Sequence, residues 1–181
     1  MPKNLQTAYS LIRFDTPLGE MMALTNKSGI CRLEYTDSND ITNFPGLQGK
    51  GQEIIITEKS SCNTDILQQQ LEEYFQGKRR EFTIPLVPEG TAFQLKVWNE
   101  LLKIPYGKTR TYMQQALALK KPEATRAVAA ANANNKIAIL IPCHRVVGAK
   151  GELTGYRGGI GRKQWLLDME KTTIGERLKL F

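Results

Sequence analysis

The 181-residue chain holds three cysteines and one histidine, and that histidine, His144, directly follows Cys143. A thiol attacks only as its thiolate, and a neighbouring base or positive charge lowers its pKa from about 8.5. His144 is the one imidazole available for that task. The pair stands at the exit of residues 137–141 (Ile-Ala-Ile-Leu-Ile), a run apolar on both alternating faces and therefore expected inside the protein, ended by Pro142. Neighbouring residues of a strand point to opposite faces, so contact between thiol and imidazole requires a turn or a bridging water. A buried inert Cys beside a satisfied His is the competing reading of the same pair.

Cysteine proteases compare badly, because their His lies far from the Cys in sequence and this chain has no second His. A redox sensor would lack a near resolving cysteine. Cys31, Cys62 and Cys143 give no disulfide framework and no CxxC pair, and with His144 they make poor zinc spacing. What is left is a cysteine that attacks something the rest of the chain brings to it.

The charge distribution says what that could be. Residues 1–88 carry 9 Lys and Arg against 11 Asp and Glu, a net −2. Residues 89–181 carry 16 against 7, a net +9. A basic excess confined to one half fits a polyanionic partner. With 41% hydrophobic and 24% charged residues the chain is neither low-complexity nor wholly disordered. Its longest apolar run is about six residues against the ~20 that span a bilayer, and its start lacks a secretory signal. The expectation is a soluble, cytoplasmic protein with no membrane partner.

The elements that must position the cysteine differ between the halves. Runs 8–14, 20–26 and 30–35 read as strands separated by turn residues, 37–52 as an exposed loop, 65–76 as a helix and 81–85 as a short strand. Residues 85–90 (Pro-Leu-Val-Pro-Glu-Gly) coincide with the charge shift and set the expected boundary between domains 1–88 and 89–181. Beyond it, Thr91 with Gln94 and Thr111 with Gln114 are capping-box pairs. They open a helix with the apolar stripe Phe93, Val97, Trp98, Leu101 and Leu102, and a second helix over 112–119. Pro122 suits the start of a third, over 123–132. Two short helices joined tightly in a basic region outline a helix-turn-helix. The third helix is nearly smooth with alanine, and Arg126 is its one long basic side chain. That composition fits either a nucleic-acid groove or close packing in a helical core. The fold class expected is α+β: a small N-terminal sheet-plus-helix domain, then a mainly helical C-terminal domain.

The run Ile139-Leu140-Ile141-Pro142-Cys143-His144-Arg145-Val146-Val147 resembles the active-site signature of the O6-alkylguanine-DNA alkyltransferases. The resemblance extends from Gly90 to Glu170. It takes in Phe93-Gln94 and Val97-Trp98, Pro105-Tyr106-Gly107-Lys108-Thr109, Thr111-Tyr112, Arg126-Ala127-Val128, Asn135, Gly155-Tyr156-Arg157-Gly158-Gly159, and Trp165-Leu166-Leu167 with Glu170. The first half matches in general character only, where the family has a ribonuclease H-like domain.

The resemblance implies direct-reversal repair: a single-turnover transfer of the alkyl group from O6 of guanine in double-stranded DNA to Cys143, by a monomer without cofactor or metal. O4-alkylthymine is a further conceivable substrate. His144 would be a water-assisted base and Glu170 would hold its imidazole. Asn135 would brace the active-site turn, and Tyr112 would protonate the leaving guanine. Arg126 would fill the gap in the base stack, with Thr125, Ala127 and Lys121 beside it on the DNA. Val146, Tyr156, Arg157 and Gly158 would form the pocket, and Thr154 and Arg157 would narrow its rim relative to mammalian members. The rivals are a non-catalytic binder of alkylated DNA and a cysteine-based DNA-binding sensor.

Overall fold

The structure is a computed structural model of the chain, and residues 7–37 and 54–178 are described. It divides into two compact units, Met1–Glu89 and Gly90–Phe181. Among the described residues no helix is long and apolar enough to cross a membrane.

Unit 1 is built on a four-stranded sheet of order β3-β2-β1-β4. Strands β1 (Thr7–Phe14), β2 (Met21–Asn26) and β3 (Gly29–Tyr35) form an antiparallel meander, and β4 (Ile54–Thr57) runs parallel to β1. The first turn is closed by Thr16, whose hydroxyl donates to the Gly19 carbonyl and accepts from the Leu18 amide. Helix α1 (Cys62–Phe75) buries Leu67, Leu71 and Tyr74.

Two details of unit 1 depart from the sequence expectation. Helix α1 begins three residues before 65, because Ser61 and Thr64 form a capping box that satisfies the first amides ahead of the apolar stripe. Residues 81–85 form no strand. Ile30 instead makes one isolated bridge with Leu86, donating to the Pro85 carbonyl and accepting from the Val87 amide. Pro85 and Pro88 flank that bridge and lack the N–H groups that would lengthen it. Of the expected loop over 37–52, only Asp37 falls within the described residues.

Unit 2 is helical. Its elements are α2 (Ala92–Leu101), β5 (Arg110–Thr111), α3 (Tyr112–Ala118), α4 (Thr125–Ala133), β6 (Val146–Val147) and α5 (Ile160–Leu178). Both expected capping boxes are formed, at Thr91/Gln94 and Thr111/Gln114. The third helix opens as a 3-10 turn, Pro122–Ala124, before α4.

Buried amides lock these helices together. Gln115 on α3 and Asn132 on α4 exchange hydrogen bonds of 2.7 and 3.4 Å, and Gln115 also donates to Val97 O on α2 at 3.0 Å. Trp98 on α2 donates to Ala131 O on α4 at 2.8 Å. A fully paired buried polar network fixes orientation in a way that apolar packing alone does not. It presents Arg126, Ala127 and Lys121 to solvent, with Thr125 half-buried among them.

Candidate functional site

The segment before the cysteine is interior, with Ile137, Ile139, Leu140 and Ile141 all buried. It is a chain of turns rather than a strand. Ile139 has a φ of +69°, and the Leu140 amide donates to Ala138 O across it at 2.8 Å. That is a γ-turn of the strained hand, at a β-branched residue, and costs about 1–3 kcal/mol. Pro142 (φ −81°, ψ 62°) forms a second γ-turn, closed by Cys143 N to Ile141 O at 2.8 Å. Asn135 holds these turns in place. Its Nδ2 donates to Ile141 O at 2.9 Å and to Ile137 O at 3.4 Å, and its Oδ1 accepts from Ile137 N at 3.0 Å. The same Nδ2 lies 3.2 Å from Cys143 Sγ.

Cys143, His144 and Arg145 then form one 3-10 turn and are all buried. This turn takes the place of the strand exit that the alternating pattern implies. His144 Nε2 is 2.9 Å from Glu170 Oε1 on α5. Arg145 grips the same carboxylate, Nη2 at 2.9 Å and Nε at 3.0 and 3.2 Å, and donates from Nη1 to Ile104 O at 2.7 Å. The Gly107 amide reaches Glu170 Oε2 at 2.8 Å. Gly107 must be glycine: its φ is +68°, and a Cβ there would lie 2.1 Å from Ile174 Cδ1.

The electrostatics follow from this crowding. Burial alone would raise the Glu170 carboxyl, but hydrogen bonds and charge from His144 and Arg145 hold it down to about 2. Burial lowers the His144 imidazole against the pull of Glu170, and Arg145 adds to the lowering. That lowering favours the neutral ring. With the carboxylate accepting from Nε2–H, Nδ1 carries the lone pair, and it has no hydrogen-bond partner among the described residues. Burial raises the Cys143 thiol, opposed by the Asn135 amide and by Lys163.

Lys163 is the functional side chain that the sequence reading missed. It is fully buried on α5, and its Nζ donates to Thr154 O at 2.7 Å and Gly155 O at 3.5 Å. It also stands 5.9 Å from the centroid of the Tyr112 ring. Burial lowers its pKa to about 8, partly offset by Cys143. Arg145, Glu170 and Lys163 together carry one net positive charge, which a Cys143 thiolate would neutralise. Lys163→Met is expected to move the alkaline limb of thiol reactivity upward by about one pH unit and to slow reaction at pH 7 about tenfold. An alkylation rate profile of Cys143 against pH, unchanged from wild type, would contradict this.

Tyr112 reaches the same neighbourhood because β5, just before it, pairs in parallel with β6, just after Arg145. Its ring is half-buried and its hydroxyl donates to Thr154 O at 3.2 Å. Burial raises the phenol above its ordinary value; the bond to Thr154 opposes the rise and Cys143 adds to it. Val146 is buried in β6, while Tyr156, Arg157 and Gly158 are half-buried in the loop that follows Thr154. Arg126 and Ala127 are exposed and Thr125 half-buried at the start of α4, and Lys121 is exposed just before it. Among the described residues no group of three or more His, Cys, Asp or Glu could hold a metal.

A helix-turn-helix whose scaffold also seats a thiol among charged groups belongs with DNA-binding proteins that carry out chemistry through cysteine. Comparison with known proteins narrows the class. Residues 92–172 match the DNA-binding domain of 6-O-methylguanine DNA methyltransferase, and residues 8–88 match its ribonuclease-like domain. The methylated-DNA–protein-cysteine methyltransferase of Methanosarcina barkeri is 41% identical over 163 residues, covering 88% of this chain and 96% of the relative. The Mycobacterium tuberculosis protein of the same name is 53% identical over 112 residues, covering 62% of this chain and 68% of the relative. The crystal structure of M. tuberculosis OGT in complex with DNA superposes with a TM-score of 0.78 at 38% identity, covering 92% and 94% of the two chains. This chain belongs to the methylated-DNA–protein-cysteine methyltransferase family.

Proposed function

We propose that the protein repairs double-stranded DNA by moving the alkyl group of O6-alkylguanine onto Cys143, once per molecule, acting as a monomer. The observation that carries the reading is the Cys143 thiol, 3.2 Å from Asn135 Nδ2 and followed in the chain by His144, whose Nε2 meets Glu170 while its Nδ1 is left open to accept a proton. The thiol proton passes to His144 Nδ1 through a water, and the sulfur attacks the alkyl carbon. A carbon–sulfur bond forms, the carbon–O6 bond breaks, and its electron pair stays with the guanine. Tyr112 supplies the proton that neutralises the leaving base, and the proton taken up by His144 is returned through water to restore the phenol. The products are guanine and a thioether at Cys143, and the thioether has no leaving group to reverse the step.

The reacting carbon lies within a base stack, so the nucleotide must be turned out into a pocket. Residues 89–181 carry both tasks in this reading. The smooth, exposed face of α4 lies against the duplex, with Lys121, Thr125 and Ala127 along it. Arg126 occupies the space left in the stack, and the loop of Tyr156, Arg157 and Gly158 with Val146 encloses the base. Arg126→Ala is expected to slow repair in a duplex about tenfold or more while leaving reaction with the free alkylated base within about twofold. Equal losses with both substrates would remove Arg126 from base extrusion.

The decisive experiment incubates the protein with a duplex containing O6-methylguanine and weighs the peptide bearing Cys143. A gain of one methylene, with repair ending at one equivalent, supports the proposal. Tight lesion binding with an unmodified peptide makes the protein a non-catalytic binder instead.

A further inference from the structure

We infer that the main-chain carbonyl of Thr154 holds the Tyr112 hydroxyl in reserve and surrenders it when a damaged nucleotide enters, so that Thr154 is a positioning group for the proton donor. The inference rests on the function proposed above. Its starting point is valence. A phenol has one proton and donates it to one acceptor at a time. In this structure the Tyr112 proton is directed at Thr154 O, 3.2 Å away. The proposed reaction requires the same proton to face the leaving guanine. The two uses exclude each other, so the hydrogen bond must be exchanged during substrate binding.

The surroundings of Thr154 allow that exchange at low cost. Thr154 is exposed, but a carbonyl turned toward a half-buried ring still loses stabilisation when its donor leaves with nothing in its place. Thr154 O escapes that loss because it accepts a second, shorter bond from Lys163 Nζ, at 2.7 Å. Loss of Tyr112 therefore leaves the oxygen paired. Lys163 also reaches the next carbonyl, Gly155 O, at 3.5 Å, so the ammonium can follow the peptide as it tilts. Gly155 itself has a φ of +36° with no atom within 4 Å of where a Cβ would stand, which leaves room for that tilt. The far end of the loop is pinned separately, by Gly159 N to Tyr156 O at 2.9 Å and by Arg162 Nη1 to Gly158 O at 3.0 Å. Movement is confined to the Thr154–Gly155 peptide, and the pocket wall beyond it stays in place.

The exchange also aims the donor. Before substrate arrives, the bond to Thr154 restrains a ring that would otherwise rotate about its side-chain torsions. Only a group that accepts better than a carbonyl already satisfied by an ammonium will draw the proton away.

The test compares amide hydrogen exchange of Gly155, whose N–H belongs to the same peptide as Thr154 O, with and without the Tyr112 hydroxyl, in two states of the full chain. In the free protein, Tyr112→Phe is expected to speed exchange about three- to tenfold, the range for one lost hydrogen bond. In the complex of Cys143→Ala with a duplex bearing O6-methylguanine, adding Tyr112→Phe is expected to leave exchange unchanged, since the hydroxyl has already left the carbonyl. Comparing Tyr with Phe inside each state cancels the protection that DNA itself confers. An equal effect in both states would overturn the exchange, and no effect in the free protein would overturn the restraint. Methyl transfer to Cys143 is measured separately on the wild type. If that transfer is absent, the function proposal fails, while the free-state comparison still reports on the Tyr112–Thr154 bond.

Discussion

Cys143→Ala is expected to abolish methyl transfer completely while leaving affinity for a duplex containing the lesion within about twofold, or ~0.4 kcal/mol. The first half of that expectation follows from the chemistry. Cys31 is buried in unit 1 with its thiol raised to about 11, packed with Tyr9 and Leu24, and Cys62 is exposed at the start of α1. Neither stands on unit 2 beside a base that could take its proton. The second half follows from placement. Cys143 is buried, whereas Lys121, Arg126 and Ala127 are exposed. The fold should survive, because Asn135 Nδ2 keeps Ile141 O and Ile137 O after Sγ is gone, so the loss is that of one hydrogen bond, about 1 kcal/mol. Gel-shift titration with lesion and plain duplexes, alongside a thermal melt, checks all three parts. Residual transfer would mean that another nucleophile does the work, and a tenfold loss of affinity would mean that the sulfur contributes to recognition.

The sequence is legible wherever a local rule decides the outcome. Thr91/Gln94 and Thr111/Gln114 show the starts of α2 and α3, because capping is a contact between residues three apart. Ser61/Thr64 is the same kind of contact, and the start of α1 escapes notice because a Thr, rather than a Glu or Gln, closes the box. The strand expected over 81–85 fails for a non-local reason: the one bridge to Ile30 is made by Leu86, past its end, and prolines on either side stop the ladder. The cysteine, histidine, glutamate, asparagine and tyrosine of the site are identifiable from motif order. What binds them is not. Lys163 reads in sequence as one more cation on an amphipathic helix, and only the fold shows it fully buried against two carbonyls. Arg145 is visible beside His144, but its grip on Glu170 spans 25 residues, and the Gly107 amide that completes the carboxylate's shell is 63 residues away. No periodicity carries such distances. The one available signal is local, a Lys three residues into α5 between Arg162 and Gln164, and it does not distinguish a buried ammonium from a solvated one.

Glu170→Gln is expected to lower stability at neutral pH by about 3–5 kcal/mol, the range for removing one partner of a buried ion pair. Arg145 is left buried without a countercharge, and the amide nitrogen of Gln turns a donor toward donors already present on Arg145, His144 or Gly107. The pH dependence separates this from a simple packing defect. The Glu170 carboxyl stands at about 2 in the folded protein against an ordinary 4.5. A lowered folded pKa means that the unfolded chain binds the extra proton first. The carboxylate's contribution is thus complete above about pH 4.5 and is lost as pH falls toward 2. His144, lowered by burial, acts in the same direction from a higher pH: below about 6.5 the unfolded chain protonates its imidazole while the folded one resists. Wild-type denaturation midpoints should therefore fall in two stages on acidification, and the Gln variant should lack the lower stage. Transfer should fall as well, since an amide no longer fixes which ring nitrogen of His144 carries the proton, and Nδ1 is then protonated in part of the population. A Gln variant with the wild-type acid profile would show that Glu170 does not hold its charge in the folded protein, and the proton path from Cys143 through His144 would lose its support.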